Sequence, residues 1–173
     1  MTVKKTVKEF ITIFNKKDTD KPTLIRKIIL TGYVPYLKKI DIATRIINAT
    51  CFKYVEGNST PEIQIKSPFK YMLYVLNLIN LYTVIDIDFE HENPVDLYDA
   101  LNENGIIEAF ISTMSTTNQK ELEEFQTVLN MVYDDFITNN MSTNAIVNKI
   151  IVEFGEMVTP IIAKAVEQMD TKK

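Results

Sequence analysis

The stretch that most constrains the fold is Ser67 to Thr83, SPFKYMLYVLNLINLYT. Projected at 100° per residue, Lys70, Tyr74, Asn77 and Asn80 fall on one narrow stripe, with Leu81 among them, while Phe69, Met72, Leu73, Val75, Leu76, Leu78 and Ile79 cover the rest. A helix apolar around most of its circumference belongs in a core, wrapped by other helices. Ser67 offers a hydroxyl to cap the first turn, and Pro68 suits the first helical position, where its missing N–H costs nothing. At 17 residues, interrupted by Lys and two Asn, the stretch is too short and too polar for a membrane span.

The flanking sequence supplies helices to wrap it. Val3, Val7, Phe10, Ile11 and Phe14 recur at helical spacing, which predicts an amphipathic N-terminal helix over 1–16 with its regular part at 3–16. Pro22 opens a short helix through Leu30 that ends at Gly32, and Pro35 starts a third. In that third helix Leu37, Ile40, Thr44, Ile47 and Cys51 make a seam widened by Ala43 and Ile46, so Cys51 reads as a small core hydrophobe. Asn93-Pro94 is a cap-then-proline start whose buried face is Val95, Tyr98 and Leu101, and Asn104-Gly105 is a C-terminal stop. Ile106, Ile107, Phe110, Ile111 and Met114 form another apolar face before a polar break at Ser115–Thr117.

Asn118 and Glu121 have capping-box spacing. The helix they open carries Leu122, Phe125, Leu129, Val132 and Phe136 as a seam through about Thr138, and Glu121, Glu123, Glu124, Asp134 and Asp135 give it an acidic outer surface. Ser142 then caps a long C-terminal segment over 142–170, with Ile146, Ile150, Phe154, Ile161, Ala165 and Met169 at helical spacing. Pro160 removes a backbone donor, so this helix is expected to break near 156–160. Its distal apolar residues Ile161, Ile162, Ala165 and Met169 are then candidates for binding another protein. Residues 52–66 differ: Phe52, Tyr54, Ile63 and Ile65 alternate around Gly57-Asn58, which fits either a small β-ribbon or an irregular connection.

The expectation is one all-α domain over 1–173, a compact bundle of about seven or eight helices around 67–83, with a minor ribbon at 52–66 as the alternative to a loop. A chain of 173 residues with 46% hydrophobic and 24% charged residues can bury a core without staples. One cysteine forms no internal disulfide, which suits a reducing compartment. No segment has the apolar run of a secretory signal or membrane span.

Charge is uneven. Residues 1–50 hold 11 Lys/Arg against 4 Asp/Glu, a net +7, and residues 51–173 hold 8 against 19, a net −11. Such polarity can steer association with a charged partner or simply reflect two solvated faces.

Motifs that carry chemistry are missing from the sequence. There is no Gly-rich phosphate loop, GxSxG elbow, CxxC knuckle or HExxH, so neither an enzyme nor a cofactor is expected. Lys4, Lys5, Lys8, Lys16 and Lys17 lack an aromatic platform or a recognition motif for nucleic acid. Asp86, Asp88 and Glu90 in VIDIDFEHE are the one metal candidate, because in extended backbone their carboxylates share a face. Measured as an EF-hand from Asp86, however, the sixth position is His91 and the twelfth Leu97, and the pattern fails.

Four blocks, YVPYLKKIDIATRIINATC at 33–51, SPFKYMLYVLNLINLYTVIDIDF at 67–89, LYDALNENGIIEAFI at 97–111 and EFQTVLNMVYDDF at 124–136, together resemble a group of small proteins encoded by tailed bacteriophages and prophages of low-GC Gram-positive bacteria. The shared blocks are packing and capping motifs and bring no functional residues with them. Genes of that group lie with virion structural and assembly genes. The resemblance therefore implies a protein that binds other proteins in head–tail or tail assembly, in the host cytoplasm or in the virion. The implied partners are phage structural proteins, a host protein or a second copy. The competing expectation is an inhibitor of a host defence or nucleic-acid enzyme that acts through its acidic surface.

Overall fold

A computed structural model describes residues 4–30, 32–53 and 62–141 of the chain. Where length alone suggests one domain, contacts group the chain into two compact units, Met1–Val132 and Tyr133–Lys173. The boundary falls within the last described helix, and the C-terminal segment from Ser142, with Ile161, Ile162, Ala165 and Met169, lies outside the described residues.

The architecture is all-α. Seven helices are described: α1 (Val7–Phe14), α2 (Lys21–Ile28), α3 (Tyr36–Cys51), α4 (Ser67–Tyr82), α5 (Pro94–Glu103), α6 (Ile106–Thr117) and α7 (Gln119–Met141). Two minimal sheets accompany them. β1 (Lys5–Thr6) pairs in parallel with β4 (Ile85–Asp86), and β2 (Phe52–Lys53) pairs antiparallel with β3 (Glu62–Ile63), in the register Phe52 to Ile63. The short ribbon is therefore present at its two ends; Tyr54, Gly57 and Pro61 lie outside the described residues.

The central helix is the core of the first unit. Val75, Leu76, Leu78, Ile79 and Tyr82 have no exposed surface and Met72 only 7%. α3 and α5 pack on α4, α6 packs on α5, and α2 on α6. At the end of α4 three chain segments are tied together by backbone. The Leu30 amide donates to the Tyr82 carbonyl at 2.7 Å, Val84 to Ile28 at 3.2 Å, and Lys5 to Val84 at 2.8 Å. These bonds satisfy helix-end groups that burial would otherwise leave orphaned.

Several local expectations are corrected. α1 begins at Val7 because Thr6 and Glu9 form a reciprocal capping box and the preceding two residues are taken up by β1. α4 is capped by Lys66, whose carbonyl accepts from Lys70, so Ser67 already lies inside the helix and its hydroxyl makes no cap. Tyr74, assigned to the polar stripe, is buried against Phe125 with ring centroids 5.5 Å apart. In α5 the buried pair is Leu97 and Leu101, while Val95 is 40% exposed and Tyr98 is half-buried. The expected break at Ser115–Thr117 stays helical, and its hydroxyls bond back to the carbonyls of Ser112 and Thr113, bonds a helix accommodates without ending. Along α7, Glu121, Phe125, Val128, Leu129 and Phe136 are buried, with Leu122 and Val132 only half-buried.

The largest departure is in α3. Leu37 is 78% exposed and Thr44 is exposed, whereas the buried face is Lys39, Ile42, Ala43, Ile46, Ile47, Thr50 and Cys51. The seam is rotated by a turn's fraction because a charged residue, Lys39, points inward.

Candidate docking surface

Lys39 has no exposed side-chain surface, yet it is charged. Its Nζ lies 2.8 Å from Glu121 Oε2 and 2.6 Å from Glu124 Oε2, both on the first turns of α7. The same Glu121 oxygen accepts the Tyr82 hydroxyl at 2.8 Å and the Val34 amide at 3.3 Å. Burial pulls the Lys39 amine down, but the hydrogen bonds and charges of Glu121 and Glu124 outweigh it and hold the amine above its ordinary value. Burial likewise pushes Glu121 up, and the bonds from Lys39, Tyr82 and the Val34 amide bring it below the usual carboxyl value. Burial first, then the bond to Glu121, raises the Tyr82 phenol.

A lysine held protonated is the opposite of a nucleophilic or Schiff-base lysine, which needs a lowered pKa. Lys39, Glu121 and Tyr82 are absent from the walls of three hollows among the described residues, the one between α2 and α6, the one between α4 and α7 and the one between α3 and α4. The cluster is a fastener: it joins α3, α4, α7 and the 33–34 backbone.

What the fastener holds is an apolar edge. Tyr33 is 64% and Leu37 78% exposed, and Leu30 and Tyr36 are each 41% exposed. The inward bonds of this stretch run through its backbone and one amine: Leu30 to Tyr82, Val34 to Glu121, Lys39 to both glutamates, with the Lys38 and Lys39 amides closing on the Pro35 carbonyl. Lys39 Nζ also stands 4.7 Å from the Tyr33 ring centroid, which fixes one face of that ring and leaves the other to solvent. The Tyr33 ring is thus displayed at reduced conformational freedom, the arrangement that aromatic anchors of protein interfaces use. The flanks are basic. Lys27 and Lys38 are exposed and neither makes an ion pair among the described residues, while Asp41 is already taken by Arg45 at 2.9 Å.

The acidic stretch is organised differently from the metal expectation. Asp86 pairs with Lys4 at 2.8 Å across the β1–β4 contact. Asp88 turns back to accept from the His91 ring and from the Glu90 and His91 amides, bonds that hold its carboxyl below the ordinary value. Among the described residues no three His, Cys, Asp or Glu side chains are grouped to hold a metal, so Asp86, Asp88 and Glu90 do not converge. No described helix is long and apolar enough to cross a membrane.

The sequence contained one signal for the docking edge, the run LTGYVPYLKK, in which Leu30, Tyr33, Tyr36 and Leu37 recur every three to four residues. That periodicity reads equally well as a buried seam, and only Lys39 facing inward distinguishes the two. Comparison with family models, with curated proteins and with solved structures finds no match to this chain.

Proposed function

We propose that this protein acts without catalysis, by docking the Leu30–Lys38 edge onto another protein during the assembly of a tailed-phage particle. The single observation that carries the docking half is the exposure of Tyr33 and Leu37 on a backbone tied inward through Leu30, Val34 and Lys39, with the exposed Lys38 next to Leu37. The partner it fits has an apolar centre inside an acidic rim, because complementary charge steers the encounter and apolar contact at the centre stabilises the complex. The phage setting rests on the resemblance of the four sequence blocks. The acidic-mimic alternative loses support from two of the α7 carboxylates counted for it, Glu121 and Glu124, which are engaged by Lys39.

The test has two arms. The chain, tagged at its N-terminus, is expected to co-purify with phage assembly intermediates or virions, and Leu37→Asp is expected to abolish that capture while leaving the melting temperature unchanged. Capture of a host nuclease or polymerase in its place, unaffected by Leu37→Asp, overturns the reading. So does absence from all particles, with normal particles after gene deletion.

A further inference from the structure

We propose that the Leu30–Lys38 edge of one copy docks on the outer face of α5 of the next, so that the chain associates with itself head to tail. The inference rests on the docking reading above and names a partner for that edge. The two surfaces lie on different elements of the same compact unit, and each carries the charge that the other lacks.

Charge separates along the sequence in the way such pairing needs. Residues 21–40 hold five Lys/Arg and no Asp/Glu, whereas residues 71–119 hold eight Asp/Glu and no Lys/Arg. Of those eight, Asp86 is taken by Lys4, and Asp88 is bonded to the His91 ring. Glu92, Asp96, Asp99 and Glu103 are exposed and make no ion pair among the described residues.

α5 gathers three of these acids on one face. With Leu97 and Leu101 turned inward, the 100° step puts Val95, Asp99 and Asn102 on the opposite side, with Asp96 and Glu103 beside them. Val95 is exposed and Tyr98 half-buried, so an apolar patch runs alongside the acids. The docking edge is its complement. Tyr33 and Leu37 stand exposed there, and the exposed Lys38 follows Leu37. The acids near the edge are engaged: Asp41, one turn further along α3, pairs with Arg45, and Glu121 and Glu124 hold Lys39.

Complementarity also fixes the mode of association. Edge on edge would bring cations to cations, and α5 on α5 would bring carboxylates to carboxylates. Only edge on α5 joins opposite signs around apolar contact, so the interface is between unlike surfaces. Each bound copy then leaves one edge and one α5 face free. Such a contact propagates, closing into a ring or extending as a filament.

Sedimentation velocity of the purified full chain and three variants tests this. The chain should grow in mass with concentration, and high salt should reverse the growth by screening the charges. Leu37→Asp spoils the edge and Val95→Lys the α5 face, both at exposed positions, so each variant should keep its circular dichroism spectrum and stay monomeric alone. Mixed in equal amounts, the two should form a dimer that grows no further, because the pair uses its one intact edge and its one intact α5 face. Asp99→Lys, which keeps Val95, should raise the association Kd about ten-fold by turning an attraction into a repulsion. A chain that stays monomeric throughout overturns the inference. So does a dimer of Val95→Lys alone, which would be edge on edge. The docking reading fails separately: it survives a monomeric chain if Leu37→Asp abolishes capture on particles while Val95→Lys leaves that capture intact.

Discussion

Lys39 Nζ stands 2.8 Å from Glu121 Oε2 with no part of the lysine side chain exposed, so the fold carries a charged pair where α3 meets α7. Both ions lose hydration there, and their mutual bonds, with Glu124, Tyr82 and the Val34 amide, compensate. A pair of this kind is worth little net of desolvation, but breaking it strands a charge.

Replacing one member should therefore cost more than replacing the set. Lys39→Met is expected to lower unfolding free energy by about 3–5 kcal/mol, because Glu121 is then buried without its cation. The triple variant Lys39→Met, Glu121→Leu, Tyr82→Phe should recover most of that loss. Urea unfolding followed by circular dichroism measures both. Equal losses in the single and triple variants would show that the pair is not the fastener described.

Stability should fall at both ends of the pH scale. The folded Glu121 carboxyl lies below its ordinary 4.5, so its contribution is present above about that value and lost as pH falls through the lower folded value. The folded Lys39 amine lies above 10.5, so its contribution is complete below that and lost as pH rises through the higher folded value. Between these limits the melting temperature should be flat with respect to this pair. Glu121→Gln should remove the part of the acid limb that this pair supplies and leave the part that follows Asp20 and Asp88, whose carboxyls also lie below their ordinary value. A melting series from pH 2 to 6 would reveal the difference.

Among the described residues the buried Tyr74 hydroxyl has no hydrogen-bond partner, and burial pushes its phenol up to about 12. Tyr74→Phe keeps the ring against Phe125 and removes the unsatisfied group. It should stabilise the protein by about 1 kcal/mol, the lower end of the cost of an unmade buried hydrogen bond. A destabilised variant would mean that the hydroxyl has a partner.

Gly105 joins α5 to α6 at φ 70°, and a Cβ placed there meets nothing within 4 Å. The penalty of Gly105→Ala is thus backbone strain alone, about 1–2 kcal/mol. Gly105→Asn should lose less, since Asn tolerates the left-handed region. Thermal melting of the two variants orders them.

Local signals were legible because they need only neighbouring residues. Asn93 caps α5 by accepting from the Val95 amide, Gly105 takes the left-handed turn that Asn104-Gly105 advertises, and α4 has the all-round apolar surface of a core helix. The same locality misled where a residue had two uses. Asn118-x-x-Glu121 reads as a capping box, but the Glu121 carboxylate is claimed by Lys39, Tyr82 and Val34, and Asn118 Nδ2 is buried with no partner among the described residues.

What the chain determined unaided is the class of fold, its central helix and most helix starts and stops, because hydrophobic periodicity and capping act over a few residues. Which face of α3 turns inward, and hence whether Tyr33 and Leu37 end in the core or in solvent, was decided only when α3 met α7. A buried cation is tolerable solely where carboxylates from elsewhere in the chain arrive beside it, and no spacing along the sequence encodes that meeting.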